Sequence, residues 1–293
     1  MKYDIVKLMA RRKIRWKKRW VSGDSGGRLT FRSKKAGRLS DYRIYGNTVD
    51  GESVGDRTGN LFDGVVERGS FNGTDGTETV AFNNRVRSKN VTLGGGNYTI
   101  SANGVDAVIV MVYLIDGTYA RSESIASFPN LPFSFSLDAE RIIRFAFKKN
   151  DNSGILPSDI SNMMLNSGST ALPYEPYGYR VPVTISNGND SQTIPIYLSE
   201  QIKKVGDEAE YISYSERKLH RVGADDIDVT LPALPVLPGT NVLSVGTAVQ
   251  PSRVEVKGRI KAVGQETEPE QEAAEPEPET AEPEQEAAEA EQE

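Results

Sequence analysis

Ala107-Val108-Ile109-Val110-Met111-Val112-Tyr113-Leu114-Ile115 is the stretch that decides the fold. It is the longest apolar run in the chain, at nine residues. A membrane-spanning helix needs about 20 apolar residues, so this run is too short to be one. Turn-forming pairs bound it, Asn103-Gly104 before and Asp116-Gly117 after. A short run that is apolar on both faces reads as a central strand of a packed sandwich, and the strand is expected over Val105–Ile115.

The same texture continues outward. Asn72-Gly73, Asp75-Gly76, Gly94-Gly95-Gly96 and Asn187-Gly188 mark further turns. Asn-Gly and Asp-Gly supply the positive φ angles of tight hairpins. Asn97–Ser101 alternates, and Leu131–Leu137 alternates strictly. Ile142–Phe147 reads as a strand with Ile143, Phe145 and Phe147 on one face. Many short strands with regular turns predict a β-sandwich or barrel.

After Tyr174, Tyr179–Ser186 and Thr193–Leu198 read as strands around Asn187-Gly188. Glu210–Ser213 and Lys218–Val222 read as a second hairpin, and Asn241–Ala248 and Arg253–Ile260 as the last two strands. Between them, Pro232, Pro235 and Pro238 recur every three residues, and so do Leu231, Leu234 and Leu237. Polyproline II has three residues per turn, so the leucines form a ridge. The ridge suits either a proline-motif ligand or an extended connector laid on a sandwich.

The charge is concentrated at the ends. Residues 1–20 hold nine basic residues and one acidic, or +8; residues 264–293 hold thirteen Glu and no Lys or Arg, or −13. The 243 residues between them carry 26 basic and 27 acidic groups. On a helix Trp16 and Trp20 would share a face. The basic arm is read as a membrane-surface helix, a nucleic-acid arm, a segment docking on an acidic partner, or a solvated arm. No sequence-specific nucleic-acid partner is expected. The Glu/Pro/Ala-rich tail cannot bury enough apolar surface to offset its ordering entropy, so disorder is expected. The two ends can attract one another in a salt-sensitive way, which would mask the arm from polyanions. A fragment spanning 41–263 is expected to retain the β fold.

Several chemistries are poorly served. Cys is absent and His220 is the single histidine, so thiolate sites and a Ser-His-Asp arrangement with a spare His are disfavoured. No cofactor or metal is expected: Asp50, Glu52 and Asp56, like Asp75 and Glu78, do not match an EF-hand loop. Gly94-Gly95-Gly96 lacks the Lys and Ser/Thr of a phosphate loop and reads as a strand connection. His220 reads as a solvated strand residue. Glycoside hydrolysis needs two carboxylates at a fixed separation, and the sequence singles out no pair, so no enzyme is expected. Sugar binding needs an aromatic and a few polar groups in a groove. Tyr113 and Arg144, polar members of apolar strands, are the ligand-binding candidates, or else capped core residues. Tyr174 and Tyr177 either stack on a sugar or seal the end of the sandwich.

Three segments carry a family resemblance: Asn60-Leu61-Phe62-Asp63; Gly168-Ser169-Thr170-Ala171-Leu172-Pro173-Tyr174-Glu175-Pro176-Tyr177; and Ser186-Asn187-Gly188, followed by Ile196-Tyr197-Leu198 and Gly206-Asp207-Glu208-Ala209-Glu210-Tyr211-Ile212. Together, over about residues 44–258, the chain resembles tail and baseplate-type proteins of bacteriophages and prophages of Gram-positive bacteria. The resemblance implies an all-β protein: a jelly-roll β-sandwich at 44–178, similar to carbohydrate-binding modules, then a small β module of phage-tail type at 179–263. A basic N-terminal arm at 1–43 and a disordered acidic tail at 264–293 complete the expected organisation. Both ends depart from the pattern of longer tail proteins and point to an excised or independently assembled adhesion unit. The implied function is host attachment: a virion tail or baseplate protein, made in the bacterial cytoplasm, that contacts the host surface and binds its glycans without cleaving them. Other tail proteins and a homo-oligomeric assembly are the implied partners. The alternatives are a purely structural assembly component and a glycan-cleaving tail enzyme.

Overall fold

The structure, a computed structural model, describes residues 20–22, 27–39, 41–47, 52–80, 82–123, 128–257 and 260–261. Among these residues it is all-β, apart from one 3-10 turn at Pro157–Asp159, and every strand pair is antiparallel. No described helix is long and apolar enough to cross a membrane.

The central strand forms as Ala107–Tyr113. It pairs with Tyr119–Glu123 on one side and Arg141–Lys148 on the other. The sheet continues through Arg85–Ser88 to Val66–Arg68, with Val91–Leu93 also on Arg141–Lys148. A second sheet runs Phe133–Leu137, Gly96–Asn103, Ser161–Ser167. Side chains on a strand alternate between faces. Val108, Val110 and Val112 therefore meet Ile143, Phe145 and Phe147, and with Ile100, Phe135 and Leu165 they fill one core. Phe62 closes it, edge-on to Phe145 at 5.6 Å. The opposite face of Ala107–Tyr113 is buried too, because Met111 and Tyr113 pack with Phe71 and Ala146. Phe71 comes from a small hairpin, Ser70–Phe71 with Glu78–Thr79. The triple glycine carries the chain from the first sheet to the second.

A second core gathers residues from both ends of the described chain. Leu29, Leu39, Tyr42, Ile44 and Val54 pack with Val181, Val183, Ile212, Leu219, Leu243 and Val254. One sheet runs Ser191–Leu198, Tyr179–Ser186, Gly239–Val245, Arg28–Ser33. The other runs Trp20–Ser22, Val254–Lys257, Tyr42–Tyr45, Tyr211–Ser213, Lys218–His220, Ile227–Asp228. Tyr42 is fully buried, with its hydroxyl donated to the Pro232 carbonyl at 2.9 Å. Burial raises that hydroxyl's pKa.

Several expectations need correction. The boundary at 43/44 does not follow the packing: Arg28–Ser33 pairs along its whole length with Gly239–Val245, and Gly37–Leu39 pairs with Leu234–Val236. The described residues of 28–57 thus belong with 179–256, and the sandwich is inserted between them. The fragment 41–263 would accordingly lack three described strands and the buried Leu29 and Leu39. The leucine ridge is also altered. Leu231 and Leu234 are buried, but the chain enters a strand at Leu234–Val236, so Val236 turns inward and Leu237 only partly. Trp20 lies in a strand paired with Lys257 instead of a helix. The rest of the arm to residue 19, and the acidic tail, lie outside the described residues.

Candidate functional site

Tyr113 and Arg144 lie on one sheet face, opposite the main core. Met111 is the register partner of Arg144, and Tyr113 that of Ile142. The hairpin bearing Phe71 covers both. The Tyr113 hydroxyl donates to the Gly76 carbonyl at 2.7 Å, and the neighbouring Tyr119 hydroxyl to Gly73 at 2.8 Å. Arg144 pairs with Glu78 at 2.6 Å and lies 4.4 Å over the Phe71 ring. Arg87 joins the same carboxylate at 2.7 Å and reaches Glu67 at 2.9 Å. The Arg144 hydrogen bond, and then the charges of Arg144 and Arg87, hold the Glu78 carboxyl below the usual range against the opposing effect of burial. Burial pushes the Tyr113 hydroxyl up. The structure brings the two candidates together, with the Tyr113 hydroxyl and the Arg144 Nη2 engaged inside the chain and the buried Arg144 Nε without a hydrogen-bond partner among the described residues.

A different arrangement lies where the sandwich joins the second core. The two connecting segments run side by side. Arg57 is the register partner of Tyr179, and Asp56 that of Arg180. The Thr58 amide donates to the Gly178 carbonyl at 3.1 Å. Gly178 has φ +127°, and a Cβ there would strike the Leu198 carbonyl, so the position requires glycine. The Gly59 amide donates to Glu175 Oε2 at 2.8 Å, while Glu175 Oε1 takes Arg180 at 2.8 Å.

Asn60, 2% exposed, holds this stem to the sandwich. Its Nδ2 donates to the carbonyls of Met163 at 2.9 Å and Glu175 at 3.0 Å. Its Oδ1 accepts from the amides of Phe62 and Leu165, both at 3.1 Å. Asn166, also buried, organises the following loop, donating to Ser167 and Thr170 and accepting from the Leu172 amide. The motif residues therefore build the junction.

Beside the stem is a cleft of about 280 Å³. Arg57 and Tyr177 line it from the stem, Asn60, Leu61 and Asp63 from the segment that follows, and residues 90–93 from the sandwich. Arg57 is exposed, with its guanidinium 5.1 Å from the Tyr177 ring centre and 5.0 Å from that of Tyr179. Asp63 Oδ1 accepts from the Val65 amide at 2.9 Å, leaving Oδ2 available. Asn90 and Thr92 are exposed, and their side chains have no hydrogen-bond partner among the described residues. Tyr174 and Tyr177 are 46% and 41% exposed. The cleft thus offers an aromatic surface, neutral donors and acceptors, one carboxylate and one cation. That set can bind a polar ligand; hydrolysis of a glycosidic bond by the usual route needs two carboxylates.

His220 is only partly exposed. Its Nε2 lies 2.9 Å from Glu216 and its Nδ1 2.9 Å from Asp226, with the ring stacked on Tyr211 at 4.5 Å. The Glu216 carboxyl is lowered, first by a Ser213 hydrogen bond and then by His220 and Arg43. Asp75 caps the Thr77 amide at 2.9 Å, and Asp56 accepts from the Ala248 amide at 3.0 Å. Among the described residues no group of three or more His, Cys, Asp or Glu is placed to hold a metal.

Sequence reading did not single out Arg57, Asn90 or Thr92. Arg57 meets Tyr177 and Tyr179 only through the return of the chain, and no local pattern marks it. Asp63 stood inside a quoted motif, without a role.

No protein-family model, curated protein or solved structure matches this chain.

Proposed function

We propose that the protein is a non-enzymatic phage tail or baseplate adhesion protein that binds glycans on the bacterial host surface. The observation that carries this reading is the junction cleft, where exposed Tyr177 stands beside the side chains of Asn90 and Thr92, the second carboxylate oxygen of Asp63 and the Arg57 guanidinium. Sugars are recognised by such sets, an apolar ring face for stacking and polar groups for hydroxyls. The sequence resemblance supplies the setting: a jelly-roll module similar to carbohydrate-binding modules, a virion location, synthesis in the host cytoplasm, and other tail proteins and further copies of this chain as partners. Binding to a panel of bacterial cell walls and a glycan array tests it. Retention on some walls is expected, weakened about tenfold by Tyr177→Ala, since loss of one stacking ring costs about 1–1.5 kcal/mol. Release of reducing sugar, abolished by one carboxylate substitution, would overturn the non-enzymatic part.

A specific observation favours a second reading as an assembly component. Leu172, Tyr174 and Tyr177 are 49%, 46% and 41% exposed within six residues of one loop. Such a patch suits a protein partner. No wall or glycan binding, with co-purification of another tail protein lost in Leu172→Ser, would select it.

A further inference from the structure

We propose that the junction cleft recognises an anionic glycan, a saccharide bearing a phosphate or carboxylate, and that Arg57 reads the charge. The proposal rests on the glycan-binding reading above and names its ligand class.

The argument starts from what Arg57 lacks. Arg87, Arg144, Arg221 and Arg253 each face a carboxylate within the chain. Arg57 has no ion pair or hydrogen bond among the described residues, only the two tyrosine rings. The acids nearest the stem are engaged elsewhere: Asp56 by the Ala248 amide, Glu175 by Arg180 and the Gly59 amide. A guanidinium about 5 Å from each of two tyrosine ring centres keeps its N–H fork free of other partners, so it can take a two-oxygen anion in a bidentate pair.

The rest of the lining argues against a bare anion. Asp63 would repel a small anion that filled the cleft, but its free oxygen accepts sugar hydroxyls. Asn90 and Thr92 can donate or accept. The lining therefore fits a ligand with an oxyanion toward Arg57 and hydroxyls toward Asp63, Asn90 and Thr92. The volume, about 280 Å³, lies at the small end of ligand sites of roughly 300–1,000 Å³, so it accommodates a short saccharide unit.

The test uses the full-length protein with three immobilised probes, a sugar-phosphate polysaccharide, a uronic-acid polysaccharide and a neutral polysaccharide, and with inorganic phosphate as free competitor. One or both acidic polysaccharides should bind, in preference to the neutral one and with an affinity that falls as salt rises, and phosphate should compete weakly. The arm that binds distinguishes phosphate from carboxylate. Arg57→Gln should weaken acidic binding about tenfold or more, and Arg57→Lys should restore part of it. Asn90→Asp, at an exposed position, should weaken acidic binding without touching Arg57, which guards against a folding effect of the first variant. Neutral-glycan binding that Arg57→Gln and Asn90→Asp leave unchanged would overturn the anion proposal and spare the glycan reading. No binding to any polysaccharide or wall would overturn both.

Discussion

Asn60 uses its whole amide group at one junction, donating twice and accepting twice. Replacing it with Ala strands two amides and two carbonyls at a largely buried position. Each orphaned group costs about 1–3 kcal/mol when fully buried. Water reaches part of the stem, so the expected loss in Asn60→Ala is about 3 kcal/mol, read from urea denaturation at constant m-value. Asn60→Asp keeps an acceptor for the two amides but turns a carboxylate oxygen on the Met163 and Glu175 carbonyls at a buried position, so it should lose at least as much as Ala. The residue was visible in the sequence as the head of a motif, but its role was not, because Met163 and Glu175 lie 103 and 115 positions away. His220 differs. Its partners Glu216 and Asp226 are close in sequence, yet residue types do not show that the hairpin turns both carboxylates onto one ring.

Among the elements, the strands with strong patterns were legible. Ala107–Tyr113, Arg141–Lys148 and Tyr179–Ser186 form within or close to the expected ranges, since apolar runs and alternation leave one way to bury them. Arg28–Ser33 was not recognised, although Leu29 and Phe31 alternate inward, because its neighbours are basic and its pairing partner lies more than 200 residues on. The hairpin over Tyr113 is the element whose stability depends most plainly on pH. Glu78 carries a lowered pKa in the folded state, chiefly through Arg144. A carboxyl depressed by folding stabilises fully above its unfolded value, about 4.3 for Glu, and that contribution is lost as pH falls through the folded value. Glu78→Gln should therefore lower stability by about 1–2 kcal/mol at pH 7, between exposed and buried ion pairs. The gap from wild type should close in melts taken at progressively lower pH below 4.3. A gap that stays constant down to pH 3 would assign the loss to packing instead of charge.

At the scale of the molecule, the sandwich leaves and re-enters the second core through adjacent strands, and each body has its own buried set. This topology makes excision the sharpest test of the architecture. Arg57 and Tyr179 are antiparallel register partners, so a two-residue Asn-Gly turn can join them as a hairpin. A chain with 58–178 replaced by that turn should keep a cooperative transition, as should the fragment 58–178 alone. Far-ultraviolet circular dichroism of the intact chain follows both bodies, so two resolved transitions, each matching that of one excised piece, would mark separate units. Deleting residues 1–40 should act differently. It removes Leu29 and Leu39, 4% and 1% exposed, and opens the edges of Gly239–Val245 and Leu234–Val236. Two buried leucines contribute about 1.5–3 kcal/mol each, against a total of roughly 5–15 for a domain. The second body should lose most of its stability while the sandwich transition stays where it was. A shift of both transitions together would show that the stem couples the two cores into one cooperative unit.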